Sequence, residues 1–228
     1  MSAVADPVAS PIRALKARAK NLRRLVLRMA EKVGQGYVGQ GLDIADLLAV
    51  LYFHEMRYDP RNLKWPDRDR FILSIGHYSI GLYAALAEAG ILAMEELDTY
   101  GADGSRLEMS GSEVCPGLEM TGGSLGHGLP QAVGMALGVR LDGRPSRIYN
   151  LLSDGELQEG ATWESAMAGA HHRLDNLYCF TDVNNMQADG PPQKIMNPEP
   201  VDEKWAAFGW HTQRINGNDL EALVAALA

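Results

Sequence analysis

SRIYNLLSDGELQEGATWESAMAGAHHRLDNLYCFTDVNNMQADG, residues Ser146 to Gly190, decides the fold. Ile148 to Leu152 is a short apolar run, and the turn signal Ser153-Asp154-Gly155 follows it. Glu159 to His172 has helical length and is rich in small residues, and Leu177 to Val183 is β-prone and ends in Asn184-Asn185. Two strands joined by a helix make a βαβ unit, whose strands are parallel and whose crossover is right-handed. That arrangement predicts an α/β fold, a mostly parallel sheet with helices on both faces. It also places Asp154 and Asn184 just past the carboxyl ends of neighbouring strands, on the edge where open α/β sheets hold ligands.

The residue types at that edge suggest a chemistry. A carboxylate from Asp154, an amide oxygen from Asn184 and a nearby main-chain carbonyl are hard oxygen donors, suited to Mg²⁺ or Ca²⁺. Gly155 has no Cβ and lets an anion approach the backbone. Taken singly, Asp-Gly and Asn-Asn after a strand are ordinary turn formers. Together, at two strand ends of one βαβ unit, they predict a metal-diphosphate site.

The run from Ser153 to Gly190 resembles the thiamine diphosphate signature of transketolases, a Gly-Asp-Gly followed about thirty residues later by Asn. The resemblance implies thiamine diphosphate as cofactor, with Mg²⁺ (or Ca²⁺ or Mn²⁺ in its place) held by Asp154, Asn184 and the carbonyl of Met186. Gly155 and Glu156 would then lie at the diphosphate. Ser153 stands where the first Gly is usual, a small residue that the turn tolerates. Two further stretches carry the same resemblance. YDPRNLKWPDRDRFILSIGHYSIGLYAALAEAG, Tyr58 to Gly90, matches the transketolase run around RDRF and GH, and implies that His77 meets the diphosphate or the reacting carbon. TGGSLGHG, Thr121 to Gly128, is similar to the family's TGSLGQG and implies cofactor contacts from Gly123 and Leu125. His127 stands where Gln is usual, and it is either structural or turned toward substrate.

Composition narrows the alternatives. Of 228 residues, 46% are hydrophobic and 22% charged, which is ordinary for a globular protein with a sizeable core. The formal net charge of −8 argues against nucleic acid or an acidic membrane as partner of the whole surface. Cys115 and Cys179 are the only cysteines, too few for a disulfide framework or a zinc site, so a reducing, cytoplasmic setting is expected. No apolar run reaches membrane-spanning length and no signal-peptide core is present at the N-terminus.

In chain order, residues 1–11 read as a flexible arm and residues 12–228 as one cofactor-binding domain. A basic amphipathic helix runs from Pro11 to Val33, with Leu15, Leu22, Leu25, Val26 and Met29 on one face. Its basic face reads as solvated or as a subunit contact. The Gly-rich loop Gly34 to Gly41 matches no nucleotide-binding pattern and leads into a helix from Asp43 to Met56. Phe71 to Leu73 reads as a strand, and a helix from His77 ends near Gly90. A long polar loop from Gly101 to Leu129 follows, then a helix from Gln131 to Leu141. After a Pro-rich loop come a helix from Val201 to Phe208, a strand near His211 to Ile215, and a last helix from Leu220 to Ala228 capped by Asp219.

The resemblance covers only the diphosphate-binding half of a transketolase. In the family a glutamate of a second, pyrimidine-binding domain activates the cofactor, so the chain is expected to be one subunit of a split enzyme. Its partner would be a C-terminal transketolase-like subunit carrying that domain and its activating glutamate, in an α2β2 assembly. Glu159 matches a family glutamate at the dimer contact and is expected at the interface. Tyr37 stands in the slot of one sugar-site histidine, and Ser110-Gly111 replaces a second, His-Pro. The resemblance therefore implies an intact cofactor site and a remodelled sugar site, with His77, Tyr37 and His127 as catalytic candidates. The leading reading is transfer of a two-carbon ketol or acyl unit to an aldehyde. The rivals are a pyruvate-decarboxylating carboligase of the deoxyxylulose-phosphate-synthase type and a non-catalytic assembly subunit; the absent Rossmann spacing leaves a nucleotide-dependent oxidoreductase well behind them.

Overall fold

A computed structural model describes residues 9–228. In chain order the elements are α1 (Ala9–Val33), α2 (Val38–Asp43), α3 (Ala45–Val50), β1 (Arg70–Leu73), α4 (Ser79–Glu88), α5 (Gly128–Leu141), β2 (Ile148–Ser153), α6 (Gly160–His171), β3 (Leu177–Asp182), α7 (Pro192–Ile195), α8 (Val201–Ala207) and α9 (Leu220–Leu227). The strands form one parallel sheet in the order β1-β2-β3, so the fold is α/β as expected. The contacts divide the chain into two compact units.

The first unit comprises the described part of Met1–Met56, with Tyr78–Met109 and Ile215–Ala228. Ile12, Leu15, Ala19, Leu22, Val26 and Met29 of α1 are buried, at the three- and four-residue spacing of one helix face. That face packs on α3, α4 and α9. Part of the basic face is paired within the unit: Arg18 with Glu88, Arg23 with Asp46, and Arg28 with Asp98.

The expected helix from Asp43 to Met56 is present as α3 followed by a π-helical turn from Leu51 to Glu55. It is preceded by α2, which ends at Asp43 and takes up the end of the Gly-rich stretch. Helices α2 and α4 approach closely at Gly41. A Cβ there would lie 2.7 Å from Ile80 Cγ2 and 3.3 Å from the Gly81 nitrogen. The Gly-rich stretch is thus a helix contact rather than a phosphate loop.

The second unit, Arg57–His77 with Ser110–Arg214, holds the sheet. All six residues of β2 are buried. Ile148 and Leu152 of β2, Ile72 of β1 and Leu177 of β3 form one core with Leu129, Ala132, Val133 and Ala136 of α5 and Ala166 of α6. An aromatic cluster of Trp163, Trp205, Phe208 and Trp210 extends it. Trp210 reaches in because residue 169 is glycine; a Cβ there would lie 2.8 Å from its Cζ2. At the amino ends of the strands the buried Asp69 binds Arg57 Nη2 at 3.0 Å, Arg147 Nη2 at 3.2 Å, and the N–H groups of both arginines at 2.8 Å.

Several boundaries move. Residues 9–11 of the expected arm belong to α1, and residues 1–8 lie outside the described residues. Helix α5 starts three residues before Gln131, at Gly128. The expected strand at His211 to Ile215 is irregular, because this polar, mostly exposed run finds no neighbour to complete a ladder. Asp219 caps α9 as expected, its side chain accepting from the N–H groups of Glu221 and Ala222.

Candidate cofactor site

The carboxyl edge of the sheet is built by three strand-end turns and one loop, all within the second unit. Ser153 of β2 is level with Asp182 of β3, so Asp154 and Asn184 emerge side by side. The Asp154 N–H donates to the Asp182 carbonyl at 2.9 Å. Asp154 Oδ2 then accepts from the Asn185 N–H at 2.9 Å, and Oδ1 from the Gly155 N–H at 2.8 Å. Asn185 takes a positive φ of 60°, a conformation that asparagine tolerates and that closes this turn. Asn184 Nδ2 donates to Asp182 Oδ2 at 2.8 Å, and its Oδ1 accepts from the Met186 N–H at 2.9 Å. The two residues singled out from sequence, thirty positions apart, therefore share one strand-end cluster.

Asp154 is buried, with 1% of its surface exposed. Burial pushes its carboxyl above the usual carboxylate range. The N–H groups of Asn185 and Gly155 pull it back down, and the negative charge of Glu199 adds to the rise. Among the described residues no cationic side chain pairs with it. A buried carboxylate with N–H partners and no cation is a position that a divalent ion would complete.

The other strand end carries His77, in a tight turn from Gly76 to Tyr78 that leads into α4. Burial lowers the His77 pKa and favours the neutral imidazole. The loop with Gly123 and Leu125 is locked against this turn by a crossing of two glycines. A Cβ on Gly76 would lie 2.6 Å from Gly122 Cα, and one on Gly122 would lie 2.3 Å from Gly76 Cα. Gly111 N–H donates to the Gly76 carbonyl at 3.0 Å, and Gly122 N–H to the Gly111 carbonyl at 2.7 Å. Gly123 holds a φ of +120°, and a Cβ on it would lie 3.2 Å from Ser110 Oγ, itself buried with no hydrogen-bond partner. His127 is exposed just before α5, with its Nε2 3.4 Å from Ser124 Oγ.

Glu156 is fully buried two residues after Asp154, and one of its oxygens takes hydrogen bonds from Ser74 and Gly126. Glu159 is exposed, and its Cβ lies 2.7 Å from where a Cβ on Gly126 would sit. The Met186 side chain is exposed. Tyr37 belongs to the first unit, is partly exposed, and precedes α2. Gly155 departs from expectation in one respect: the space left by its missing Cβ is taken by the Gln187 side chain, whose Cγ would be 3.3 Å away. Gln187 Nε2 is buried there without a partner. Sequence reasoning missed Gln187, Ser74 and the Gly76–Gly122 crossing. Paired glycines at 76 and 122–123 were the one available signal.

Comparison with known proteins decides the family. Residues 14–228 match the transketolase thiamine diphosphate binding domain. The chain belongs to the transketolase family. A transketolase family protein of Sinorhizobium fredii is 58% identical over 213 residues, 93% of this chain and 76% of that protein. A 6-deoxy-6-sulfo-D-fructose transketolase subunit of a Clostridium strain is 46% identical over 93% of this chain and 78% of its own length. The crystal structure of Campylobacter jejuni transketolase superposes with a TM-score of 0.90 at 33% identity over 94% of this chain. This transketolase-family chain spans only 35% of that solved structure's length.

The residues present fit the cofactor that this domain binds. The uncompensated Asp154 carboxylate, hydrogen-bonded to the turn that carries Asn184, is a hard oxygen donor of the kind a divalent cation takes. Among the described residues no group of three or more His, Cys, Asp or Glu could hold a metal. A divalent ion here would therefore take much of its shell from a ligand. The buried, unpartnered Ser110 Oγ and Gln187 Nε2 are polar atoms that a bound group could satisfy.

Proposed function

We propose that the chain is the diphosphate-binding subunit of a thiamine diphosphate-dependent enzyme that transfers a two-carbon ketol unit to an aldehyde, working with a partner chain. The reading rests above all on one observation: the buried, uncompensated Asp154 carboxylate bonded to the loop that carries Asn184 and Met186. Asp154, the Asn184 amide oxygen and the Met186 carbonyl are assigned to Mg²⁺. Gly155, Gly123, Leu125 and His77 are assigned to the cofactor. When bound, thiamine diphosphate supplies a nucleophilic carbon that accepts and releases the two-carbon unit. The chain's own residues hold the diphosphate tail, and His77, neutral through burial, can accept or donate a hydrogen bond beside it. His127 and Tyr37 are assigned to the substrate side and Glu159 to the subunit contact.

Two facts favour a partnered enzyme. The chain matches about a third of a solved transketolase, and a relative that it covers at 78% is named a subunit. The partner is assigned the pyrimidine-binding domain and the activating glutamate, in an α2β2 assembly within the cytoplasm. Purified chain, purified partner and their mixture, each given Mg²⁺, thiamine diphosphate, a ketose phosphate and an acceptor aldehyde, test the proposal. Turnover is expected from the mixture alone. Turnover by the isolated chain, or none from a cofactor-loaded mixture over a panel of ketose donors, contradicts it.

A further inference from the structure

Glu156 is an unusual residue to find at 0% exposure. Its Oε1 accepts from the Ser74 hydroxyl at the end of β1 and from the Gly126 N–H at 2.7 Å. Ser74 Oγ in turn accepts from the Gly128 N–H at 2.9 Å, across 54 positions of sequence. Two N–H groups at the exit of the glycine loop are thus tied, directly and through one hydroxyl, to a single carboxylate oxygen. The Glu156 main chain is fixed as well: its carbonyl accepts from the Thr162 hydroxyl at 3.2 Å. The loop has no slack around these bonds. A Cβ on Gly128 would lie 2.3 Å from Ser74 Oγ, and Gly126 is pressed against Glu159 with a φ of +78°. The second oxygen, Oε2, is buried with no hydrogen-bond partner. An apolar side chain would fill this space without burying an ionisable group, so packing alone does not account for a glutamate.

We infer that Glu156 is a positioning residue, whose buried carboxylate fastens the loop bearing Gly123 and Leu125 to the ends of β1 and β2 and so holds it ready for the cofactor. This rests on the reading of the edge as a thiamine diphosphate site. Glu156 is here given no contact with the cofactor: it acts through the backbone of Gly126 and, by way of Ser74, of Gly128. A loop held in its binding conformation by these hydrogen bonds avoids the loss of affinity that comes from sampling others.

The test uses the chain with its partner and two readouts. Hydrogen exchange of the segment 121–128 without cofactor reports on the clamp, and titration with Mg²⁺ and thiamine diphosphate reports on affinity. In Glu156→Ala, exchange in that segment is expected to rise and the apparent Kd to increase about tenfold or more. Glu156→Gln, whose amide oxygen can still accept, is expected to stay within about threefold of wild type. Ser74→Ala should move both readouts in the same direction as Glu156→Ala by less, and it decides the matter if Glu156→Ala does not fold. Faster exchange with unchanged affinity would show a structural role only and overturn the inference. Equal loss of affinity in the Ala and Gln variants would overturn it too, by pointing to a direct contact. If the wild-type complex binds no thiamine diphosphate, the functional reading itself fails, while the exchange experiment still reports on the clamp.

Discussion

Among single residues, His77 gives the most accessible readout. Burial disfavours its charged form, so the folded chain holds fewer protons at this group than the unfolded chain does near pH 6. The stability it contributes is therefore full above the ordinary histidine value of about 6.5 and falls as pH drops through that value toward the lower folded one. An NMR titration of the ring is expected to give a midpoint below 6.5; a midpoint at or above that value would remove the neutral imidazole from the account. Asp154 shows the opposite response to burial, a carboxyl pushed upward, since no cationic side chain offsets the loss of water around it. These two groups stand on different strand ends. Burial shifts both, as is common at sites that take a ligand.

At the scale of elements, two devices hold the strand ends. Asp69 gathers Arg57 and Arg147 at the amino edge. Burial would raise its pKa, but the hydrogen bonds from Arg57 and from the N–H groups of Arg147 and Arg57 outweigh it and hold the carboxyl below its ordinary value. Its contribution is then present above about pH 3.9 and is lost as pH falls through the lowered folded value. Asp69→Asn is expected to cost about 2–3 kcal/mol in urea unfolding at neutral pH, less than a fully buried pair because Arg57 is half exposed. A cost under about 0.5 kcal/mol would show that the arginines find other partners. At the carboxyl edge, Gly122→Ala sets a methyl group against the Gly76 backbone, which cannot swing aside as a side chain would. A loss of about 2 kcal/mol or more is expected by the same measurement, and a variant as stable as wild type would refute the crossing. The strands themselves were legible, because Ile148 to Leu152 and Leu177 to Asp182 are β-prone runs bounded by turn residues. So was the pairing of Asp154 with the Asn184 turn, since the βαβ rule puts both at one edge. The crossing of Gly76 with Gly122 and the Ser74–Glu156 bond, spanning 82 positions, were not legible, because no local pattern records which loops meet. Helix α2 was hidden for a different reason: Val38 to Asp43 carries two glycines, Gly39 and Gly41, which read locally as a loop. At His211 to Ile215 the apparent strand lacked what a sequence window cannot show, a neighbouring strand to pair with.

For the whole molecule, family membership and fold support a shared cofactor, while the activity proposed depends on a second chain. On the proposed reading, Tyr37 and Ser110, standing where the resemblance implies histidines, are the positions assigned to a changed substrate preference. All of this depends on the Asp154 edge acting as a metal-diphosphate anchor, so calorimetric titration of thiamine diphosphate into wild-type and Asp154→Ala protein, each with its partner and with and without Mg²⁺, tests it most directly. The account predicts Mg²⁺-dependent binding by wild type. It also predicts an affinity loss of about a hundredfold or more in a variant that keeps the wild-type circular dichroism and melting profile, as expected when a buried carboxylate ligand of a divalent ion is removed. Equal affinity in the two proteins, or binding by wild type that is indifferent to Mg²⁺, would contradict it.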